Sequence, residues 1–82
     1  MITVKFFGLL SVNHAIKKIG MKEGTVQDIL TQVIRLYPGI TEKQLKQSIM
    51  IINKKQVTGS KRFTVELQLG DELVFLNSSS GG

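Results

Sequence analysis

Only one stretch of this chain carries the period of a full-length helix. Val26, Ile29, Leu30, Val33, Ile34 and Tyr37 recur at i, i+3, i+4 and i+7, which lines them along one helical face. Thr25 offers a side-chain oxygen to an otherwise unpaired N–H at the helix start, and Asp28 adds negative charge at the positive end of the helix dipole. Pro38-Gly39 stops the helix near Tyr37. The other apolar residues follow strand patterns. One helix covers one face of a sheet, so the chain reads as a two-layer α+β domain. At 82 residues there is room for a single core.

The strands are legible on both sides of the helix. Ile2-Thr3-Val4-Lys5-Phe6 alternates apolar and polar, with Ile2, Val4 and Phe6 on one face and Thr3, Lys5 and Phe7 on the other. A turn at Ser11-Val12-Asn13 and a second strand from about Ala15 to Met21, anchored by Ile16 and Ile19, complete a hairpin. Thr41-Glu42-Lys43-Gln44 matches a capping box and predicts one short helical turn. The apolar run Ile49-Met50-Ile51-Ile52 reads as a central strand buried on both faces. Asn53-Lys54-Lys55 is a turn, and Gln56 to Thr58 returns as a short strand. Gly59 to Arg62 reads as a loop. Phe63, Val65, Leu67 and Leu69 alternate like a strand up to the turn at Gly70-Asp71, and Glu72 to Leu76 forms the last strand.

The inventory for catalysis is thin. There is no cysteine, which excludes disulfides, thiolate chemistry and cysteine-ligated zinc. The single histidine, His14, reads as a solvated turn residue, and one histidine with scattered carboxylates is not a metal-ligand set. No Gly-x-Ser-x-Gly elbow is present, and Gly59-Ser60-Lys61 lacks the earlier glycine that a phosphate loop requires. Asp71-Glu72 reads as a structural turn. No apolar run is long enough to span a bilayer, and Met1 leads straight into a strand pattern without a signal peptide, so a cytoplasmic protein is expected.

Eleven Lys+Arg against six Asp+Glu give a net charge of +5. The basic residues scatter over Lys17-Lys18, Lys22, Lys43, Lys46, Lys54-Lys55 and Lys61-Arg62. Arginine occurs only at 35 and 62, and the aromatics fit core positions better than a stacking platform. The surface therefore suits water or an acidic protein partner better than nucleic acid. A basic nucleic-acid-binding module is the least favoured of three functional readings.

The terminus is the remaining feature. Residues 77–82, Asn-Ser-Ser-Ser-Gly-Gly, follow the last strand and carry no bulky side chain. The order strand, strand, helix, strand, strand with a terminal Gly81-Gly82 resembles the ubiquitin-like β-grasp proteins, and among them the sulfur carriers of the molybdopterin synthase small-subunit and thiamine-carrier family. The resemblance rests on Ile2-Thr3-Val4-Lys5-Phe6-Phe7, Gly24-Thr25-Val26, Tyr37-Pro38-Gly39-Ile40, Ile52-Asn53-Lys54-Lys55-Gln56-Val57, Leu69-Gly70-Asp71-Glu72-Leu73 and Ser80-Gly81-Gly82. Two departures are visible: Asn77-Ser78-Ser79 stands where small synthase subunits often carry prolines, and the segment from Gly59 to Leu69 is longer than usual.

The resemblance implies a mixed four- to five-stranded sheet packed on one helix over residues 1–76, with 77–82 as a flexible diglycine tail. It implies a carrier and not an enzyme, with no permanently bound cofactor. A partner adenylating enzyme of the ubiquitin-activating type would use ATP to activate Gly82, and sulfur transfer would leave a C-terminal thiocarboxylate. Gly81 and Ser80 would thread the partner's active site, where glycine permits close backbone approach. The receiving partner would be a large synthase subunit or a thiazole synthase, with molybdopterin favoured over thiamine. The runner-up is a ubiquitin-like modifier that joins Gly82 to lysines of protein targets. Docking is expected on the sheet face away from the helix, through Phe7 first and Phe75 second.

Overall fold

The structure, a computed structural model, describes residues 1–8 and 18–77. Strand β1 (Ile2–Gly8) pairs antiparallel with β2 (Lys18–Met21). The chain then leaves the sheet through β3 (Gly24–Thr25) and helix α1 (Val26–Leu36). A short helix, α2 (Glu42–Gln47), leads into β4 (Ile49–Ile52) and β5 (Lys55–Val57). A 3₁₀ turn at Ser60–Thr64 and β6 (Glu66–Leu67) precede β7 (Glu72–Asn77). The five-stranded sheet runs β2-β1-β7-β4-β5, with β1 and β7 parallel and the other neighbours antiparallel. A separate antiparallel pair joins β3 to β6.

Local chemistry sets both helix starts. The Asp28 N–H donates to Thr25 Oγ1 at 3.1 Å, and the Thr25 N–H donates to Asp28 Oδ2 at 3.0 Å, a reciprocal capping box. Thr41 and Gln44 repeat the device at α2, at 3.1 and 2.9 Å. Val26, Ile29, Leu30 and Val33 then turn the buried stripe of α1 onto the sheet. They meet Ile2, Val4 and Phe6 of β1, Met50 of β4, and Leu73 and Phe75 of β7 in one cluster. Each such side chain contributes roughly 1.5–3 kcal/mol by leaving water. No helix among the described residues is long and apolar enough to cross a membrane.

Two strand expectations need correction. β7, not β4, is the middle strand, and β4 is not buried on both faces: Ile49 is 40% exposed. The buried stripe of α1 packs on the face of Met50, which leaves Ile49 and Ile51 on the opposite face of the sheet. The alternation of Phe63, Val65, Leu67 and Leu69 does not make one strand. The backbone turns at Gly59 (φ +86) into the 3₁₀ segment, and the Arg62 guanidinium donates to the Gly59 and Lys46 carbonyls, both at 2.7 Å. This pulls Phe63 against the core and leaves only Glu66–Leu67 to pair. The strand stops there because the Gln68 N–H donates to Asp71 Oδ2 at 2.7 Å and closes a turn.

The β4–β5 connection has two central residues at positive φ, Asn53 (+49) and Lys54 (+71), between the paired Ile52 and Lys55. That is the geometry of a two-residue hairpin loop whose twist matches the strands it joins. The Asn53 side chain ties this loop to the start of β7. Its Oδ1 accepts from the Glu72 N–H at 2.9 Å, and its Nδ2 donates to Asp71 Oδ1 at 3.1 Å.

Candidate functional site

Strand parity sorts the sheet into a covered and an open face. Across β1, β7 and β4 the register aligns Phe7 with Leu76 and Leu76 with Ile49. One row inward it aligns Lys5 with Val74 and Val74 with Ile51. All of these lie opposite the face of Ile2, Val4, Phe6, Leu73 and Phe75. Phe7 is 51% exposed, Ile49 is 40% exposed, and Leu76 and Ile51 are half-buried. The open face therefore carries an apolar row at one end of the sheet. Its flank is polar, where Lys5 Nζ meets Glu72 Oε2 at 2.8 Å.

Phe7 lies where strand parity predicts. Phe75 does not: it is fully buried on the covered face and stacks on Phe6, so it is no part of the open surface. The reason is register. Phe75 pairs with Phe6 across the parallel ladder, and paired residues share a face. Leu76, one residue on, and Ile49 take the place expected of Phe75. The unbroken apolar run Leu73-Val74-Phe75-Leu76 carries no alternation from which to read parity, so the pairing of Phe75 with Phe6 and of Leu76 with Ile49 decides which residues face outward.

The last described rung of the β1–β7 ladder joins Gly8 to Asn77. β7 thus runs one residue past Leu76. Because β1 and β7 are parallel, their C-terminal ends lie side by side, next to the Phe7–Leu76–Ile49 row. Ser80, Gly81 and Gly82 lie outside the described residues, as does His14. The described chain ends at Asn77, beside the open-face row, and five residues separate it from the terminus. Fully extended, five residues reach about 17 Å.

Several charged groups elsewhere make structural contacts. Arg62 lies over the Phe63 ring at 4.4 Å, and Lys46 lies over the same ring at 5.4 Å. Asp71 is held below the ordinary carboxylate range by the Gln68 N–H and then by the Asn53 amide. Glu42 is lowered by its hydrogen bonds to Lys46 and Gln27 and by the charge of Lys46. Among the described residues no group of three or more His, Cys, Asp or Glu converges as a metal site would.

No family model and no curated protein matches the chain. Solved structures do. The small archaeal modifier protein 1 from Methanosarcina acetivorans superposes with a TM-score of 0.80 at 21% identity, over 99% of this chain and 95% of that one. A chain of the BexX/CysO complex from Amycolatopsis orientalis matches with a TM-score of 0.73 at 24% identity, over the full length of both. A chain of the complex of subunits 1 and 2 of molybdopterin-converting factor from Helicobacter pylori matches with a TM-score of 0.68 at 17% identity, over 99% and 97%. With its mixed five-stranded sheet closed around one main helix, the chain has the ubiquitin-like β-grasp fold.

Proposed function

We propose that this protein is a sulfur carrier whose reacting group is the Gly82 carboxylate. The observation that carries this reading is the pairing of a full-length fold match to a molybdopterin-converting factor chain with a sequence that ends in Gly81-Gly82. A carboxylate is a poor electrophile. Attack on the α-phosphate of ATP in a partner adenylating enzyme forms an acyl–phosphate bond and expels pyrophosphate. A sulfide-equivalent donor then displaces AMP and leaves a thiocarboxylate. The thiocarboxylate sulfur then attacks an electrophilic carbon of an acceptor and expels its leaving group, and water cleaves the resulting acyl–sulfur bond, which leaves the sulfur on the acceptor and returns the carboxylate. ATP belongs to the partner, and the chain itself performs no catalysis. With a partner that consumes ATP, the cytoplasm is the compartment this reading expects.

The same reading divides the labour between the folded face and the terminal residues. The Phe7–Leu76–Ile49 row docks on the partner, and Ser80, Gly81 and Gly82 enter its active site, where the absence of Cβ atoms suits a narrow channel. Partner binding is supported by the matched chains found in complexes with other proteins. The acceptor is a large synthase subunit acting on a molybdopterin precursor in preference to a thiazole synthase, because a molybdopterin-converting factor chain is among the matches. Intact-mass analysis after incubation with an adenylating enzyme, ATP and a sulfur donor should show one oxygen replaced by sulfur. An unchanged mass with every such enzyme would sink the reading.

A second reading has its own observation: a protein named as a modifier matches with a TM-score of 0.80. In it, the same activated Gly82 forms an isopeptide bond with lysines of target proteins. Gly-Gly remnants on cellular proteins, lost when Gly82 is deleted, would establish it.

A further inference from the structure

Gly8 stands apart from the other glycines at positive φ. Its φ is +81, in the left-handed region that L side chains avoid. Gly59 and Gly70 share that property, but a Cβ added to either meets open space. At Gly24 an added Cβ meets first the side chain of Asp28, a capping-box residue of α1, and not backbone. At Gly8 the added Cβ would fall onto the carbonyl oxygen of Asn77, with the Asn77 carbonyl carbon 3.0 Å away. Every close neighbour there is backbone, so relief requires the chain itself to move. The chain that moves is the last described residue before the segment that ends in Gly82.

We propose that Gly8 is a positioning residue. By lacking a Cβ it seats the Asn77 carbonyl against β1 and fixes where residues 78–82 depart relative to the Phe7–Leu76–Ile49 row. This rests on the proposed activation of Gly82. The distance from that row to the departure point decides whether a docked chain delivers Gly82 to the adenylation centre. Five residues leave little length to absorb a displaced start. The row is formed by the rungs Phe7–Leu76 and Leu76–Ile49, one step before the Gly8–Asn77 rung, so docking and delivery are read by separate measurements.

The test uses Gly8→Ala in the full chain with an adenylating enzyme that activates the wild-type protein. The expected result is docking affinity within about twofold of wild type and a fall in kcat for adenylate formation of about tenfold or more, the scale on which small misplacements act. A synthetic chain with D-alanine at position 8, which accepts positive φ and turns its methyl away from Asn77, should restore kcat. In the free protein, Gly8→Ala should shift the amide resonances of Asn77 and Ser78 and leave those of Lys18–Met21 in place. That spectrum needs no enzyme, so it separates failure of this inference from failure of the proposed function. Wild-type kcat in Gly8→Ala, or a parallel loss of docking and kcat, would overturn it. Should Gly8→Ala not fold, one glycine inserted between Asn77 and Ser78 alters the same span with Gly8 intact. Reduced kcat at unchanged affinity supports the inference, and unchanged kcat overturns it.

Discussion

Phe6 and Phe75 stack across the parallel β1–β7 ladder with ring centroids 5.6 Å apart and planes inclined by 19°. Both are fully buried, and both belong to the cluster that packs on α1. Phe75→Ala removes the largest side chain of the middle strand and half of the stack. The expected cost is about 3–5 kcal/mol, the range for emptying a buried aromatic site. A domain has only about 5–15 kcal/mol in total, so the variant should lose a large part of its stability and melt well below the wild type. Phe7→Ala, on the adjacent rung but half exposed, should cost about 1 kcal/mol or less. Urea denaturation of the two variants compares them directly. Similar losses would mean that the faces are assigned wrongly.

Much of this arrangement was legible in the sequence because local and long-range preferences agree. The α1 stripe, its Thr25 cap, its end at Tyr37, the Thr41–Gln44 box and the face shared by Ile2, Val4 and Phe6 all follow from spacing. Three features did not follow, each for a tertiary reason. Strand order is invisible to periodicity, so the run Ile49–Ile52 read as the middle of the sheet although β7 lies there. The alternation of Phe63 to Leu69 was broken by Arg62, whose two carbonyl partners come from residues 3 and 16 positions away. Phe75 was placed on the open face because one residue of parity inverts a strand. For the site, Phe7 was readable from alternation. Gly8 was not, because its role depends on the Asn77 carbonyl that the parallel pairing brings against it.

Lys54 holds φ +71 without being glycine, beside Asn53 at +49. The left-handed region costs an ordinary residue roughly 1–2 kcal/mol. Asn-Gly is the pair that this hairpin loop favours. Lys54→Gly should therefore stabilise the domain, by up to about 1 kcal/mol once the extra freedom of glycine in the unfolded chain is offset. A higher urea midpoint with an unchanged slope is the expected outcome. A lower midpoint would mean that the Lys54 side chain has a stabilising contact that outweighs the strain.

Asp71 links pH to the lock between the two turns. Its carboxylate accepts from the Gln68 N–H and the Asn53 amide, which lowers its pKa below the ordinary aspartate value of 3.8. A group whose pKa is depressed on folding contributes stability above its unfolded pKa and loses it as pH falls through the folded one. The contribution of Asp71 should thus be intact at neutral pH and disappear only below pH 3.8. Asp71→Asn should flatten that part of the acid limb. Carboxyl NMR titration should put the Asp71 midpoint below 3.8, and a midpoint at or above it would contradict the hydrogen-bond assignment.

The open-face row makes the sharpest functional prediction. Phe7, Leu76 and Ile49 lie side by side at the end of the sheet where the chain leaves Asn77. An exposed aromatic beside two aliphatic residues is the composition of an interface core, and a few such anchors carry most of the binding energy. Phe7→Asp introduces a charge that a docked partner would have to desolvate, while the free protein leaves it in water. Affinity for an adenylating partner should fall at least about tenfold, with a melting temperature within a few degrees of wild type. Lys55→Asp, at the far edge strand, makes a charge change of the same sign away from the row and should leave affinity within about twofold. If the Lys55 variant loses affinity and the Phe7 variant keeps it, docking uses the basic edge and not the apolar row.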